Sequence, residues 1–265
     1  MFPLRTRTFP ATAVDLEHLL NKCLRELVTA RRDPVRVIDA SFPALKEIVI
    51  NLDGAEIRPS PPKPRPAKGE NAPALTVEKF SLSGSGVLIG PASVNLVLDA
   101  RGVDVDRDLD TEGEILLSLE RAANGQVKVS TATSDLEALI GEVAKREAGK
   151  HGVAIEDVRL TLRQLGPRAL EIEVNLRARK MIFTASVRIA GRVEIDAELN
   201  VTAANLQCRG EGAIGSLACG LLSPHLDKLE GRSFALMALS LGEVRLRDIR
   251  LSVDDEVSAT AQFGA

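Results

Sequence analysis

The sequence predicts an α+β protein in which antiparallel β-sheet curls around amphipathic helices. Three observations carry that prediction. Apolar residues recur at helical spacing in only three stretches. Elsewhere the period is two, as where Val193, Ile195, Ala197, Leu199 and Val201 alternate with Arg192, Glu194, Asp196, Glu198 and Asn200. Such alternation means one face covered and one in water. The order helix-then-strands also occurs twice. ATAVDLEHLL (11–20) and TATSDLEALI (131–140) align on Asp15 and Asp135, 120 residues apart, and LKEIVINL (45–52) resembles IEDVRLTL (155–162) at an offset of 110. The chain therefore reads as two related halves, 1–130 and 131–265, open to forming one continuous domain.

The first helix is expected from Asp15 to about Ala30, with Leu16, Leu19, Leu20, Cys23, Leu24 and Leu27 on one face. A strand follows at Leu45–Ile50, closed by the turn signal Asp53–Gly54. Residues 58–73, RPSPPKPRPAKGENAP, hold six prolines and four basic residues without an apolar pattern. They read as a solvated, semi-rigid inserted loop, with a proline-recognising partner or an anionic membrane surface as the sharper options. Strand signals then follow densely at Leu75–Leu82, Val87–Ile89, Ser93–Ala100, Gly102–Leu109, Glu114–Glu120 and Gln126–Ser130, as in a meander.

The second helix carries Ser134 and Glu137 at capping-box spacing, which the Val14–Glu17 equivalent lacks. Leu136, Leu139, Ile140 and Val143 form its stripe, and Gly149 is a stop. Strands are expected around Val158–Leu162, Leu170–Leu176, Phe183–Ile189 and 192–201. The third helical region, 212–231, is expected in two pieces broken at Ser223–Pro224. Strands at Glu243–Val253 and Glu256–Phe263 close the chain around Asp254–Asp255.

With no Trp, no Tyr and seven Phe among 265 residues, Leu, Val, Ile and Ala must fill the interior. A cavity lined that way suits acyl chains better than polar metabolites. A net charge of −3 with mixed signs and the scarcity of aromatics argue against nucleic acid. Cys23, Cys208 and Cys219, odd in number and widely spaced, favour reduced, buried thiols over a disulfide framework. MFPLRTRTFP lacks a signal-peptide run, and no stretch approaches the ~20 apolar residues of a membrane span. The expectation is a soluble, cytoplasmic protein.

The run SDLEALIGEVAKREAGKHGVAIEDVRLTL, the hairpins from Leu170 to Cys208, the helical GSLACGLLSPHLDKL and the closing GEVRLRDIRLSVDDEVSATAQF together resemble the LmeA-like family of bacterial phospholipid-binding proteins, over about residues 132–263. The resemblance implies a tubular lipid-binding (TULIP-like) fold. There a strongly curved antiparallel sheet wraps a long helix and leaves an apolar slot for lipid tails. Leu136, Leu139, Ile140 and Val143, with Leu217, Leu221, Leu222 and Leu226, are the residues expected to touch a tail, and the second half is where a ligand is sought first. The partner implied is a lipid or fatty acid, with transient contact at a membrane surface, where basic loop residues could pair with phosphate.

Other chemistry finds little support. Asp104, Asp106, Asp108 and Asp110 fail as an EF-hand at Leu109 and Ile115 and read as solvent-facing carboxylates. His18, His151 and His225 are too scattered for a zinc pattern with the cysteines. SGSGVLIGP (83–91) lacks the Lys–Ser/Thr of a phosphate loop. No catalytic residue, metal or cofactor is assigned. A lipid carrier or sensor is the leading expectation. A solid-cored interaction scaffold using the Pro/Arg loop or a sheet edge is the alternative, and a lipid hydrolase comes third because no nucleophile elbow is present.

Overall fold

A computed structural model of the chain describes residues 1–60, 62, 65–150, 152–180, 183–236 and 244–265. His151 and Glu243, and the side chains of Leu221 and His225, lie outside the described residues. The protein is α+β and mostly sheet. It divides into two compact units. One comprises residues 1–129 with 240–248 and 260–265, and the other residues 130–239 with 249–259.

In the first unit a short β1 (Phe2–Pro3) precedes α1 (Ala13–Leu27), and β2 (Val28–Thr29), β3 (Val35–Ser41), β4 (Ala44–Asn51) and β5 (Glu56–Ile57) follow. Three 18-residue strands come next: β6 (Ala72–Ile89), β7 (Ala92–Leu109) and β8 (Ile115–Ala132). With the closing hairpin β14 (Arg245–Val253) and β15 (Glu256–Gly264), the sheet order is β14-β15-β8-β7-β6-β4-β3.

Six expected short strands are thus three long ones. Gly84 and Gly86, which read as a turn or bulge, form a bulge inside β6, and Gly102, which read as the start of a strand, lies inside β7. The β6–β7 register shifts between Gly84 and Val87, and Gly86 and Gly102 have φ of +64° and +57°. Around Gly102 the inward parity reverses: Leu98 and Ala100 on one side, Val103 and Val105 on the other, all line one interior. A period-two reading breaks at such a flip even though the strand continues.

Two pairs depart from the antiparallel expectation, and in the shorter one β5 meets β6 in parallel at Glu56 and Leu88. β4 and β6 run parallel, with Ile48 opposite Phe80. Parallel neighbours need a long crossover, and the proline-rich segment lies within it. Most of its described residues are exposed, as expected; Pro61, Lys63 and Pro64 lie outside the described residues, and residues 65–70 are in addition held against the end of β7. Asp108 accepts from the backbone N–H groups of Gly69 and Glu70 at 2.8 and 3.2 Å. Lys68 N–H donates to the Leu109 carbonyl at 2.8 Å, and Ala67 bridges Asp110. Asp110 accepts from Glu112 and Glu114 N–H, both at 2.8 Å, and from Arg65 Nη1 at 3.3 Å. Asp108 and Asp110 are 2% and 1% exposed. Alternation did place all four aspartates on one face, but the crossover covers two of them. Burial alone would raise the Asp110 carboxyl. The N–H groups of Glu114 and Glu112, and Arg65, hold it below its ordinary value instead.

The second unit holds α2 (Thr133–Gly149), β9 (Ala154–Gly166), β10 (Ala169–Lys180), β11 (Phe183–Ile195), β12 (Asn200–Gly210), α3 (Gly212–Leu229) and β13 (Ser233–Ala235). Its five-stranded sheet, ordered β13-β12-β11-β10-β9, is antiparallel throughout. Leu160, Val174, Ile189 and Cys208 stand in one cross-strand row. The expected strand 192–201 is two strands joined by a turn at Asp196–Leu199. There the Asp196 carboxylate accepts from Asn200 Nδ2 and N–H, and both bonds hold its pKa down. The alternation happened to stay in phase across the turn.

Three local expectations fail for identifiable reasons. α1 is the helix with a side-chain cap: Thr12 Oγ1 accepts from Asp15 N–H at 3.1 Å and donates to Asp15 Oδ2 at 2.7 Å. α2 has no side-chain cap, because it starts at Thr133, leaving Ser134 already inside the helix. Its Glu137 carboxylate accepts from Leu160 N–H on β9 instead, at 2.7 Å. α3 runs unbroken through Pro224, where Ser223 Oγ donates to the Cys219 carbonyl.

The third concerns the cysteines. Cys208 and Cys219 form a disulfide, with Cα atoms 5.4 Å apart, which ties α3 to β12. Eleven residues separate them in sequence, but the β12–α3 turn folds the helix back over its own strand. Gly210 and Gly215 permit that approach, since a Cβ on Gly210 would lie 1.9 Å from the Gly215 carbonyl oxygen. Cys23 is the free, buried thiol, and burial first, then the Glu26 charge, pushes it up to about 11.

The two helices share one device. Glu17 accepts from Val37 N–H on β3 at 2.7 Å, and Glu137, its counterpart in the sequence alignment, accepts from Leu160 N–H on β9. β3 and β9 each end their sheet, so each carboxylate covers an exposed edge donor. Asn21 adds to this in α1, exchanging two bonds with the Val35 backbone. By position, then, β9 corresponds to β3 rather than to β4, the strand whose sequence it resembles.

Candidate functional site

The first unit holds an apolar cavity of about 280 Å³ that is partly open to the outside. Helix α1 supplies Leu20 and Leu24, one turn apart on the face that Leu16 buries completely. Opposite stand side chains from the inward faces of the sheet. Ile48 and Ile50 come from β4, Val77 and Phe80 from β6, Leu98 and Val105 from β7, and Leu117 and Leu119 from β8. The parity reversal at Gly102 keeps both ends of β7 facing inward. Phe263 of β15 closes one side, and its ring lies where a Cβ on Gly125 would sit, 2.3 Å away.

Among the described residues no ionisable side chain lines this cavity. Ser118 contributes to the wall, and its hydroxyl is buried without a hydrogen-bond partner among the described residues. Alternation with Leu117 and Leu119 turns that hydroxyl toward the opposite face of β8, so it offers no handle inside. The arrangement can bury aliphatic surface and can do no acid–base chemistry.

None of the seven described side chains among the eight residues expected to touch a lipid tail lines this cavity. Leu136, Leu139 and Ile140 are half-buried on α2, while Val143 is 42% exposed. On α3, Leu222 and Leu226 are half-buried, Leu217 is 66% exposed, and the Leu221 side chain lies outside the described residues. The lining residues Leu20 and Leu24 were visible in the sequence as a helical stripe. The stripe of α2 looked equivalent, and nothing in either pattern said which would face empty space.

Among the described residues no group of three or more His, Cys, Asp or Glu could hold a metal ion. Asp104 pairs with Arg121 at 2.8 Å, and Asp108 and Asp110 are spent on the crossover. No described helix is long and apolar enough to cross a membrane. Fold and cavity together define an α+β sheet protein with a water-poor aliphatic pocket between a helix and a sheet. No protein family, curated protein or solved structure matches this chain.

Proposed function

We propose that the protein binds one aliphatic chain, of a fatty acid or a similar lipid, in the cavity between α1 and the sheet of the first unit, and serves as a lipid carrier or sensor rather than an enzyme. The observation that carries this reading is the lining, which is aliphatic and aromatic with no ionisable group. At about 280 Å³ the cavity exceeds the ~150 Å³ of a dry cavity that takes up benzene. It lies just below the ~300 Å³ at which drug-sized pockets begin. That size favours a single chain over both tails of a phospholipid. Each methylene that an acyl chain buries there contributes roughly 0.8 kcal/mol.

In this reading the sheets are strongly curved in the TULIP-like manner of the LmeA-like family, and the two units are related halves. The matching roles of Glu17 and Glu137 support the kinship. The Cys208–Cys219 disulfide supports an oxidising compartment rather than the cytoplasm. The interaction-scaffold alternative is weakened because Asp108 and Asp110 pin the segment it relied on.

The test is native mass spectrometry of the purified protein, followed by titration of the delipidated protein with a fluorescent acyl probe. A co-purifying lipid, or saturable one-to-one probe uptake, is expected. A delipidated protein that takes up no probe would refute the proposal.

A further inference from the structure

The polar face of the second unit's sheet carries a row of like charge. Arg159 on β9, Asn175 on β10, Arg188 on β11 and Arg209 on β12 are successive cross-strand partners. They alternate with the row Leu160, Val174, Ile189 and Cys208 and therefore project from the opposite face. Arg188 and Arg209 stand on adjacent strands, with Cβ atoms roughly 5 Å apart. Arg159 stands two strands from Arg188, about 9.6 Å away at the spacing of a sheet. Like charges directly opposite destabilise an antiparallel pair, so this row stands only if something offsets it.

The carboxylates nearby do so in part. Asp157 reaches Arg159 Nε at 3.3 Å, and Glu173 reaches Arg188 Nε at 3.2 Å. Asn175 Oδ1 accepts from the same Arg188 Nε at 3.2 Å, while Arg209 donates to the neutral Gln207 Oε1. Both carboxylate pairs engage Nε. A guanidinium grips an oxyanion bidentately through its terminal amino groups, of which Arg209 Nη2 turns to Gln207. The arginines border a surface hollow of about 520 Å³, which Arg177, Asp157 and Glu211 also line. Arg159, Arg177 and Arg188 each have a carboxylate partner, in Asp157, Glu156 and Glu173, while Arg209 donates to a neutral amide.

We propose that Arg188 and Arg209, assisted by Arg159, bind a phosphate-bearing ligand in this hollow. A tetrahedral phosphate presents several oxygens to two guanidinium forks at once and neutralises the cross-strand repulsion. A monocarboxylate satisfies only one fork. The site is separate from the acyl cavity and stands or falls independently of it. Two sources share this chemistry, free phosphates and the headgroups of anionic phospholipids.

The experiment measures binding of inorganic phosphate and pyrophosphate to the full chain by calorimetry at fixed ionic strength, with chloride as the reference anion. In parallel it measures co-sedimentation with phosphatidylcholine vesicles, with and without phosphatidic acid. The variants are Arg188→Gln, Arg209→Gln and, as control, Arg163→Gln. Arg163 lies on the same polar face but pairs with Glu171 outside the row. All three side chains are exposed on strands, so the variants should keep the parental melting temperature. Phosphate or pyrophosphate binding that falls at least tenfold in Arg188→Gln and Arg209→Gln, but not in Arg163→Gln, supports the site with a free phosphate. Sedimentation only with phosphatidic acid, lost in the same two variants, supports a headgroup. No binding above the chloride reference in either arm overturns the proposal, as does equal weakening by all three variants, the mark of diffuse charge.

Discussion

Filling the cavity of the first unit separates a binding site from ordinary core. Ala100 lines it and is buried, so Ala100→Leu adds three carbons to the space an acyl chain would use. At ~0.8 kcal/mol per methylene, displacing about three methylenes of ligand costs ~2.4 kcal/mol of affinity, or ~50-fold in Kd at 1.4 kcal/mol per decade. The same carbons fill a void in the ligand-free protein. Cavity filling typically gains ~0.5–2 kcal/mol, a rise of a few degrees in Tm for a chain of this size. Affinity should thus fall while stability rises, a combination that damage to the fold cannot produce. The assay pairs titration of a fluorescent acyl probe with thermal unfolding of the delipidated protein. A variant that melts higher yet binds the probe within about twofold of the parent would refute the reasoning, because the chain would then lie elsewhere. Should Leu overpack the site, which costs ~1–3 kcal/mol, Ala122→Val makes a smaller intrusion at another lining residue.

Three further outcomes follow from the geometry. Gly125→Ala places a methyl where the Phe263 ring now lies; probe affinity should change severalfold as the ring is displaced, while Gly149→Ala, which meets no neighbour within 4 Å, should leave it unchanged. Asp110→Ala should release the crossover, seen as new limited-proteolysis cleavage within residues 58–73. In the parent, the folded pKa of Asp110 is lower than its ordinary 3.8. Its stabilising contribution is therefore present above about pH 4 and lost as pH falls through the depressed value, so the cleavage should appear only in stronger acid. Cys208→Ser should cost about 3 kcal/mol, the loop-closure value for a bridge spanning eleven residues of sequence; unfolding with and without reductant checks it, and a parent insensitive to reductant would contradict the bridge.

Much of the fold was legible because alternation and helical stripes are local records of which side of each element is covered. The three helices and strands β9 and β10 of the second unit follow from them. What misled was also local. The breaks expected between Leu82 and Val87 and before Gly102 are continuous strand, and Asp196–Leu199 read as strand but turns. Ser134–Glu137 had capping-box spacing, but the helix began one residue too early for it, and Glu137 found a better use on an edge strand. The partner of Glu137 lies 23 residues along the chain, whereas the Asp196 turn is closed locally by Asn200.

By itself, then, the sequence determined the class of protein, its aliphatic interior, the polar face of the second sheet and the absence of any recognisable catalytic motif. Composition and period set those, and neither depends on long-range pairing. Only the tertiary structure decided which of two similar helices faces a void, which carboxylates a crossover buries, and that Cys208 and Cys219 meet. The row Arg159–Asn175–Arg188–Arg209 belongs to the same group, since it exists only once four strands are in register. The physical reason is common to all four. A cavity, a buried charge, a disulfide and a charge row are properties of groups brought together across long stretches of chain, and the local pattern around each group is the same whether or not its partner arrives.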